Sequence, residues 1–452
     1  MKYRLLLLLL IILALSCGRS RNASSVAGGV ADTLHYATNI TIAHHDGWTE
    51  VWLRNPWDTA AVLHTYLLVP SEAEVPKNLP EGTLVRTPLR RAGVATAVAC
   101  GLIEELGRVD AIAGVCEQQY IHQTSVQQGL KEGRIADFGS GMNPDIEHIM
   151  ETAPDALLLT PFEHSGGYGR VERLGIPIIE CAEYMETSAL GRAEWIRFYA
   201  LLFGAEAKGD SIFRSVEQNY LRLVVLVRDR IAASQRSEEL QPMAAELPQS
   251  GGIKVTDETT TSNGNLNSAA VGCNSASAGR NSARSAIPRQ RGNSAPMAPS
   301  LLSETLYGGQ WFVPCGQSTM GRMYADAGAD YPFADMPGSG SVGLSFEEVL
   351  ERAQDADVWL IKYNQSAPVS YESLARDYKP YTQFRAWRER HIWACDLAAT
   401  HFYEETPFHP DRLLRDLVII LHPELMPGEE TRYYKTLPPP SLKGREQNED
   451  GQ

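Results

Sequence analysis

The chain has 452 residues, 43% of them hydrophobic and 21% charged, and its formal net charge at pH 7 is -14. This length allows two domains with sizeable cores, and the composition is typical of a globular protein, not of a fibrous or membrane protein. The negative charge, and the lack of a basic stripe with interleaved aromatic residues, argue against nucleic acid as a partner.

The N-terminus carries a targeting signal. Basic residues precede an apolar segment at 5–15, which is short for a bilayer span but typical of a signal-peptide core. A small residue and Cys17 follow directly, so residues 1–17 resemble a bacterial lipoprotein signal in which Cys17 becomes the lipidated first residue. A plain secretory peptide and an uncleaved anchor are the alternatives. We expect residues 18–30 to form a flexible tether.

The other cysteines are scattered, with no CxxC pair and no metal-ligand spacing, which argues against a zinc site of the finger type. Their even number permits disulfides in an exported protein without requiring them. We expect most of them to be buried as small apolar side chains, with Cys273 exposed. They are Cys100, Cys116, Cys181, Cys273, Cys315 and Cys395.

Residues 31–84 read as strands separated by turn residues, and we expect a small antiparallel meander attached to the first lobe. Residues 85–186 are expected to form the first lobe. A strand at 92–95, a helix at 98–106 and a strand at 112–115 make the right-handed crossover unit of a parallel sheet.

A helix-then-strand unit lies at residues 143–163. Asn143 with Pro144 predicts a helix N-terminus, and the apolar run 156–160 after Asp155 predicts a buried strand that opens into a loop.

The same unit recurs in the second half of the chain. Ser345 with Glu348 forms a capping box, and a helix leads through Asp357 into the apolar strand 358–361. The offset from the expected cap to the aspartate is the same in both copies. Two similar units predict two similar lobes, with ligand-contacting loops after the strands.

Residues 187–233 predict connecting helices. From residue 212 onward, apolar side chains recur at helical spacing, which predicts a long, stiff connector between lobes that open and close only slightly. Residues 234–300 are rich in Ser, Asn, Ala, Gly and Arg and lack aromatic residues, which predicts a disordered insertion.

Residues 301–425 predict the second lobe. It should begin with a strand at 301–305, a Gly-rich aromatic loop at 307–316 and a helix at 318–327. The tail at 426–452 is polar and Pro-rich, so we expect it to be loose.

These segments, in this order, resemble the class III periplasmic solute-binding proteins, the receptors of ABC importers for ferric siderophores, haem and cobalamin. The resemblance covers residues 85–425 apart from the insertion, and the region before it resembles lipoprotein members from Bacteroidetes. It implies an α/β fold of two Rossmann-like lobes with parallel sheets, joined by a single long helix, with the ligand cleft between the lobes. The segments are GRVDAIAGV, NPDIEHIMETAPDALLL, RLGIPII, SLLSETLYGG, SFEEVLERAQDADVWL and DRLLRDLVIILHPEL.

The resemblance also implies ligand contacts on the loops after the strands. Aromatic side chains suit a large flat or macrocyclic ligand, although each of them could instead pack in a core or at a lobe edge. Trp311 follows two glycines and is expected on a loop. The candidates are Thr96, Tyr120, Phe162 and Tyr168 in the first lobe, and Tyr307, Trp311, Phe312, Tyr363 and His401 in the second.

The ligand itself stays open at this point. Haem would need an axial ligand from the protein. Tyr120, Tyr168, Tyr363 and His401 are the candidates, and the sequence alone does not rank them. A catecholate siderophore would favour a cleft arginine, and Arg90 or Arg170 could supply it.

Members of the family carry one exposed acid on each lobe that pairs with arginines of the permease. Glu163 is the choice in the first lobe. The matching position in the second copy is Gln365, so the choice there moves to Glu372. Either residue could simply be a solvated surface glutamate.

The resemblance implies a monomeric lipoprotein on the periplasmic side of a bacterial membrane, held there by its lipid. It would capture a metal complex or macrocycle and deliver it to an ABC permease with its ATPase, with no intrinsic cofactor and no catalysis.

One alternative is a binding lipoprotein of the same fold that works without a permease, as a sensor or surface receptor. Another is a cleft enzyme or chelatase, although GxSxG, HExxH and Walker motifs are lacking. A receptor for free metal ions is a third, although the histidines form no evident ligand set.

Overall fold

Two mainly parallel β-sheets, one in each half of the chain, form the frame of the structure. The computed structural model describes residues 29–58, 61–162, 167–245 and 298–438, with only the helical backbone for 237–245. The chain divides into two compact units, Met1–Arg228 with Ala298–Gln452 and Asp229–Met297. Both parallel sheets belong to the first unit.

The strands are short, and those of the two lobe sheets are mostly buried. They are β1 (Val30–Ala31), β2 (Ile40–His45), β3 (Trp48–Arg54), β4 (Val62–Pro70), β5 (Thr83–Thr87), β6 (Ala92–Val94), β7 (Ile112–Val115), β8 (Ala136–Asp137), β9 (Gly139–Ser140), β10 (Asn143–Pro144), β11 (Ala156–Leu159), β12 (Ile178–Glu180), β13 (Leu301–Ser303), β14 (Leu306–Tyr307), β15 (Gln310–Pro314), β16 (Ser341–Leu344), β17 (Val358–Tyr363), β18 (Ile392–Asp396) and β19 (Tyr434–Thr436).

The α-helices of the described residues flank these sheets. They are α1 (Ala97–Glu105), α2 (Thr124–Lys131), α3 (Ile146–Thr152), α4 (Ala189–Glu194), α5 (Ile196–Phe203), α6 (Glu206–Ala245), α7 (Thr319–Asp326), α8 (Phe346–Ala353), α9 (Tyr371–Asp377), α10 (Arg385–Arg388), α11 (Phe402–Glu405) and α12 (Pro410–Leu421). Within the described ranges, every helix is too short or too polar to span a membrane.

Lobe 1 is built on the sheet β12-β11-β6-β7-β8, in which all neighbouring strands are parallel. The run Ala156–Leu159 is fully buried, as its uninterrupted apolar sequence predicts. Lobe 2 is built on the sheet β13-β17-β18-β19, parallel except for its last strand. The α/β fold with parallel sheets, predicted from the sequence, is confirmed.

The capping box at Ser345 is present, and α8 begins directly after it. In the first copy the expected cap is wrong. Asn143 and Pro144 form β10, and the helix is instead capped by Asp145, which accepts from the backbone N–H of Glu147 at 2.9 Å. Because Asn143 and Pro144 pair with β9 as a strand, their backbone is extended and cannot form the first turn of a helix.

The strands before lobe 1 form the sheet β1-β2-β3-β4-β5. Neighbours are antiparallel from β1 to β4, but β5 joins β4 in parallel, so the meander is not wholly antiparallel as expected. Strand Thr83–Thr87 also runs across the expected boundary at residues 84 and 85. This N-terminal sheet and the lobe are therefore continuous along the chain.

Residues 307–316 are not a loop. Gly308 and Gly309, both at positive φ, make the two-residue turn of the hairpin β14-β15, and β16 completes a three-stranded sheet. Two consecutive residues at positive φ are the signature of the tight hairpin turn that strand twist favours.

The long helix α6 runs from Glu206 to Ala245 and continues into residues 234–245, where the composition predicts disorder. It contacts lobe 2 through Tyr220, whose hydroxyl donates to Asp326 at 2.8 Å. The rest of the insertion, residues 246–297, lies outside the described residues, as does the tail beyond 438. The five described cysteines are buried and free, as expected, whereas Cys17 and Cys273 lie outside the described residues.

Two buried glutamates bind the N-terminal sheet to the end of lobe 1 and to the connecting helices. Glu194, 1% exposed, accepts hydrogen bonds from the backbone N–H groups of His35, Tyr36 and Ala37 at 2.8–3.0 Å. Glu186, 2% exposed, accepts from Thr38 and Asn39 in the same way. A buried carboxylate is stable only when its lone pairs are satisfied, and these amides satisfy them.

Replacing Glu194 with alanine should lower the free energy of unfolding by at least about 3 kcal/mol, because it leaves three backbone N–H groups without their acceptor. Glu194→Gln keeps one acceptor oxygen and should cost less. Urea denaturation checks both, with exposed Glu151→Ala as the matched control. Equal midpoints for Glu194→Ala and the control would contradict this role.

Candidate ligand-binding site

A cavity of about 580 Å³ lies at the carboxyl ends of the lobe 1 strands. Its lining comes from the loops after β6, β7 and β11 and from the hairpin β9-β10. The side chains that face it are mostly apolar or aromatic: Met142, Pro144, Ile146, Leu159, Phe162 and Tyr168. Arg170, Glu117 and two threonines add polar groups. This combination suits a ligand with a large apolar surface and a few polar points.

Close packing supports the cavity from behind. Leu159 and Val171 line it and also pack in a core cluster with Phe138. A Cβ at Gly114 would lie 2.1 Å from the Phe138 ring, and one at Gly93 would lie 2.9 Å from it. Only glycine at these two strand positions lets the ring lie against the sheet.

Glu117 shapes the rim of the cavity. It follows β7 in the left-handed conformation, with φ 53°. Its carboxylate accepts from the backbone N–H of Gly141 at 2.9 Å and from the Ser140 hydroxyl at 3.0 Å. These hydrogen bonds lower the pKa of Glu117, so it stays ionised and holds the hairpin in place.

Tyr168 presents its ring to the cavity and its hydroxyl to the protein interior. The hydroxyl is buried, without a hydrogen-bond partner of good geometry, in electrostatic contact with Glu180. Burial raises the pKa of Glu180 to about 7, although Tyr168 opposes the shift. The imidazole of His64, from the N-terminal sheet, lies 4.0 Å from the same carboxyl group. A buried hydroxyl is poorly placed to be the axial ligand of a haem iron.

The structure brings three predicted ligand residues together at this cavity: Thr96, Phe162 and Tyr168. Thr96 also caps α1, accepting from the backbone N–H of Ala99 at 3.1 Å. Phe162 is 51% exposed, which leaves its ring free for contact. Tyr120 is exposed in a short 3₁₀ helix and does not line the cavity.

Trp311 is not a loop residue. It lies on β15, is 0% exposed, and donates from Nε1 to the carbonyl of Ser303 at 2.9 Å. Its ring packs against Trp359 and Phe384 in the core of lobe 2. The adjacent glycines form the hairpin turn, and the strand after them carries the indole inward.

The other lobe 2 candidates lie at several places. Tyr307 is 80% exposed at the hairpin turn, and Phe312 is 43% exposed on β15. Tyr363 is half-buried at the end of β17, and its pKa is raised by burial and by Asp396. His401 is exposed just before α11 and lines a different cavity. None of these four lines the lobe 1 cavity.

Of the residues expected to dock the permease or to carry the lipid, the structure describes only Glu372. Glu163 and Cys17 lie outside the described residues. Glu372 is exposed in the first turn of α9, as a docking residue must be. Of the two arginines considered, Arg170 lines the cavity, whereas Arg90 is exposed and lies 3.6 Å from Glu72.

Sequence reasoning missed Glu117, Met142 and Ile146 as parts of the site. Glu117 comes two residues after β7, so the strand-end rule could have found it. Met142 lies on a hairpin that was read as the start of a helix. Among the described residues, no three His, Cys, Asp or Glu side chains are grouped so as to hold a metal ion.

The comparisons with known proteins give distant relatives. No protein-family model matches the chain. An uncharacterized lipoprotein of Methanocaldococcus jannaschii is 22% identical over 361 residues, which cover 78% of this chain and 69% of the relative. A second uncharacterized lipoprotein of that organism is 26% identical over 177 residues, 36% of this chain and 44% of the relative. The chain thus spans less than half of this second relative.

The fold that the sequence resemblance implies is also found in a solved structure. A periplasmic heme binding protein from Pseudomonas aeruginosa matches with a TM-score of 0.50 at 14% identity, covering 78% of this chain and 99% of the other. A possible iron-binding periplasmic solute-binding protein from Staphylococcus epidermidis matches with a TM-score of 0.46 at 12% identity, covering 74% and 100%. The fold is that of two-lobed periplasmic binding proteins.

Trp311→Ala should lower the free energy of unfolding by about 3–5 kcal/mol, because it opens a cavity in the aromatic core of lobe 2. Phe312→Ala, at the next and partly exposed position, should cost less than about 1 kcal/mol. Urea denaturation with both variants is the check. A loss for Trp311→Ala no larger than that for Phe312→Ala would place the indole outside the core.

Glu180 should make the protein less stable as pH rises from about 4.5 to about 7, because the folded state holds the proton after the unfolded state has released it. The full effect above pH 7 is up to about 3 kcal/mol. Glu180→Gln should remove this slope from the free energy of unfolding, measured at steps from pH 4.5 to 8. Exposed Glu206→Gln is the control, and identical slopes for Glu180→Gln and wild type would refute the assignment.

Proposed function

We propose that this protein is the solute-binding lipoprotein of an ABC importer. It captures a metal chelate or macrocycle, such as a ferric siderophore, haem or cobalamin, and delivers it to the permease without catalysis. The observation that carries the proposal is the large, mostly apolar cavity at the carboxyl ends of parallel strands in a two-lobed binding-protein fold. In open α/β sheets, ligands bind at this edge.

The chemistry of the cavity favours a large ligand with apolar faces. Phe162 and Tyr168 offer ring surfaces, and their few rotatable bonds make contact at low entropic cost. Arg170 supplies a cation for a carboxylate or catecholate group. The exposed aromatic side chains of Tyr307 and Phe312 are the proposed contacts from lobe 2.

Delivery requires contact with the permease. Glu372 on lobe 2 and Glu163 on lobe 1 are the proposed docking residues, with Glu163 directly after the cavity residue Phe162. Lipidation at Cys17 is the proposed anchor on the periplasmic side of the membrane. This arrangement keeps the receptor close to the permease and so raises their effective concentration.

Absorbance and mass spectrometry of the protein as isolated should reveal a bound metal complex or macrocycle. Titration with haemin, cyanocobalamin, a ferric catecholate and a ferric hydroxamate then gives the affinities. Phe162→Ala should weaken the binding of that ligand about tenfold, because a buried aromatic contact contributes on the order of 1.5 kcal/mol.

Met150→Ala is the matched control, since Met150 is also well exposed, at 63% against 51% for Phe162, but does not line the cavity. Failure of all four ligand classes, with nothing bound as isolated, would refute the proposal. Equal losses for Phe162→Ala and Met150→Ala would place the ligand elsewhere.

A further inference from the structure

A second cavity, of about 280 Å³, lies where the two lobes meet. Its walls come from α1 and the segment before α2 in lobe 1, and from α11 and the start of α12 in lobe 2. Gly101 permits this approach, because a Cβ there would lie 3.1 Å from the Gln123 amide and 3.6 Å from Glu404. The cavity is separate from the candidate ligand site and shares no lining residue with it.

Most charged groups around this interlobe cavity are already paired. Glu105 accepts from His409 across the lobe boundary at 2.6 Å. Glu405 holds Arg432 through two hydrogen bonds at 2.6 and 2.7 Å, and it also binds Arg412. Glu105 and Glu405 therefore already have hydrogen-bonded or ion-paired partners.

Two buried polar groups remain without comparable partners. Gln123 is 5% exposed, and its Oε1 has no hydrogen-bond partner. Glu404 is 7% exposed, and its ion-pair partner His122 is 3.9 Å away, beyond hydrogen-bond distance. Burial raises the pKa of Glu404, while a hydrogen bond from its own backbone N–H and the nearby His122 and His401 oppose the shift. An unsatisfied buried acceptor beside a poorly compensated carboxylate is costly unless a donor fills the space.

We propose that the interlobe cavity binds a small organic cation, an alkylammonium group held by the Glu404 carboxylate and the Gln123 amide oxygen. An ammonium has three N–H donors, and Gln123 and Glu404 both line this cavity. Leu102 and Phe408 provide apolar surface for the alkyl part. The volume is several times that of a water molecule, which occupies roughly 30 Å³ in the liquid.

Binding there would join the two lobes. Gln123 belongs to lobe 1 and Glu404 to lobe 2, so a cation between them stabilises the lobe arrangement that places both acceptors around it. A ligand that prefers one arrangement shifts the lobe equilibrium toward it. Binding of the cation would therefore change how readily the two lobes open, although the cation lies outside the candidate ligand site.

The test is calorimetric titration of the full-length protein with 1,4-diaminobutane at pH 8, where glutamate is ionised and unperturbed histidine is neutral. One equivalent should bind and raise the thermal midpoint, whereas uncharged 1,4-butanediol should do neither. Glu404→Gln and Gln123→Leu should each weaken binding by about tenfold. Exposed Glu347→Gln should leave binding unchanged.

Gln123→Glu adds a second carboxylate and should strengthen binding, which decides the question if Glu404→Gln fails to fold. No binding of the diamine, equal binding of the diol, or unchanged affinity in the Gln123 variants would overturn the proposal. Binding of zinc or calcium chloride without binding of the diamine would overturn the ligand class.

Discussion

Buried carboxylates that accept backbone hydrogen bonds hold this protein together. Glu186 and Glu194 accept hydrogen bonds from the backbone N–H groups of residues 35–39 and so fasten the N-terminal sheet to the end of lobe 1 and to the connecting helices. Burying an ionised carboxylate is unfavourable in itself, and only the convergent N–H groups make it stable. Glu117 is only partly buried, but it also accepts a backbone hydrogen bond, at the rim of the cavity, where it holds the hairpin β9-β10. Backbone geometry at the rim therefore depends in part on this carboxylate.

The features predicted well from sequence are those set by short-range physics. The run Ala156–Leu159 reads as a buried strand because it is apolar without interruption, and the structure has it so. The capping box at Ser345 depends on residues three apart, and it forms. Thr96, Phe162 and Tyr168 line one cavity, as expected from the rule that loops after parallel strands meet at one edge of the sheet.

The features missed from sequence depend on partners far along the chain. Asn143 and Pro144 suit a helix start, but pairing with Gly139 and Ser140 makes them a strand. The burial of Trp311 depends on rings from β17 and beyond, which no local pattern at the two glycines reveals. Glu117 is held by an amide 24 positions away. Composition also misled at residues 234–245, where the helix α6 continues through polar sequence.

Glu186 joins three parts of the molecule at one point. Its carboxylate binds the N-terminal segment, the indole of Trp195 in the connecting helices donates to that same carboxylate, and its carbonyl accepts from Thr319 of lobe 2 at 2.8 Å. Its side chain and its backbone thus serve different parts of the molecule. Loss of the carboxylate would release the N-terminal segment and the indole together, whereas the backbone bond to lobe 2 needs no particular side chain. This position therefore answers to two separate constraints, one on residue type and one on the course of the backbone.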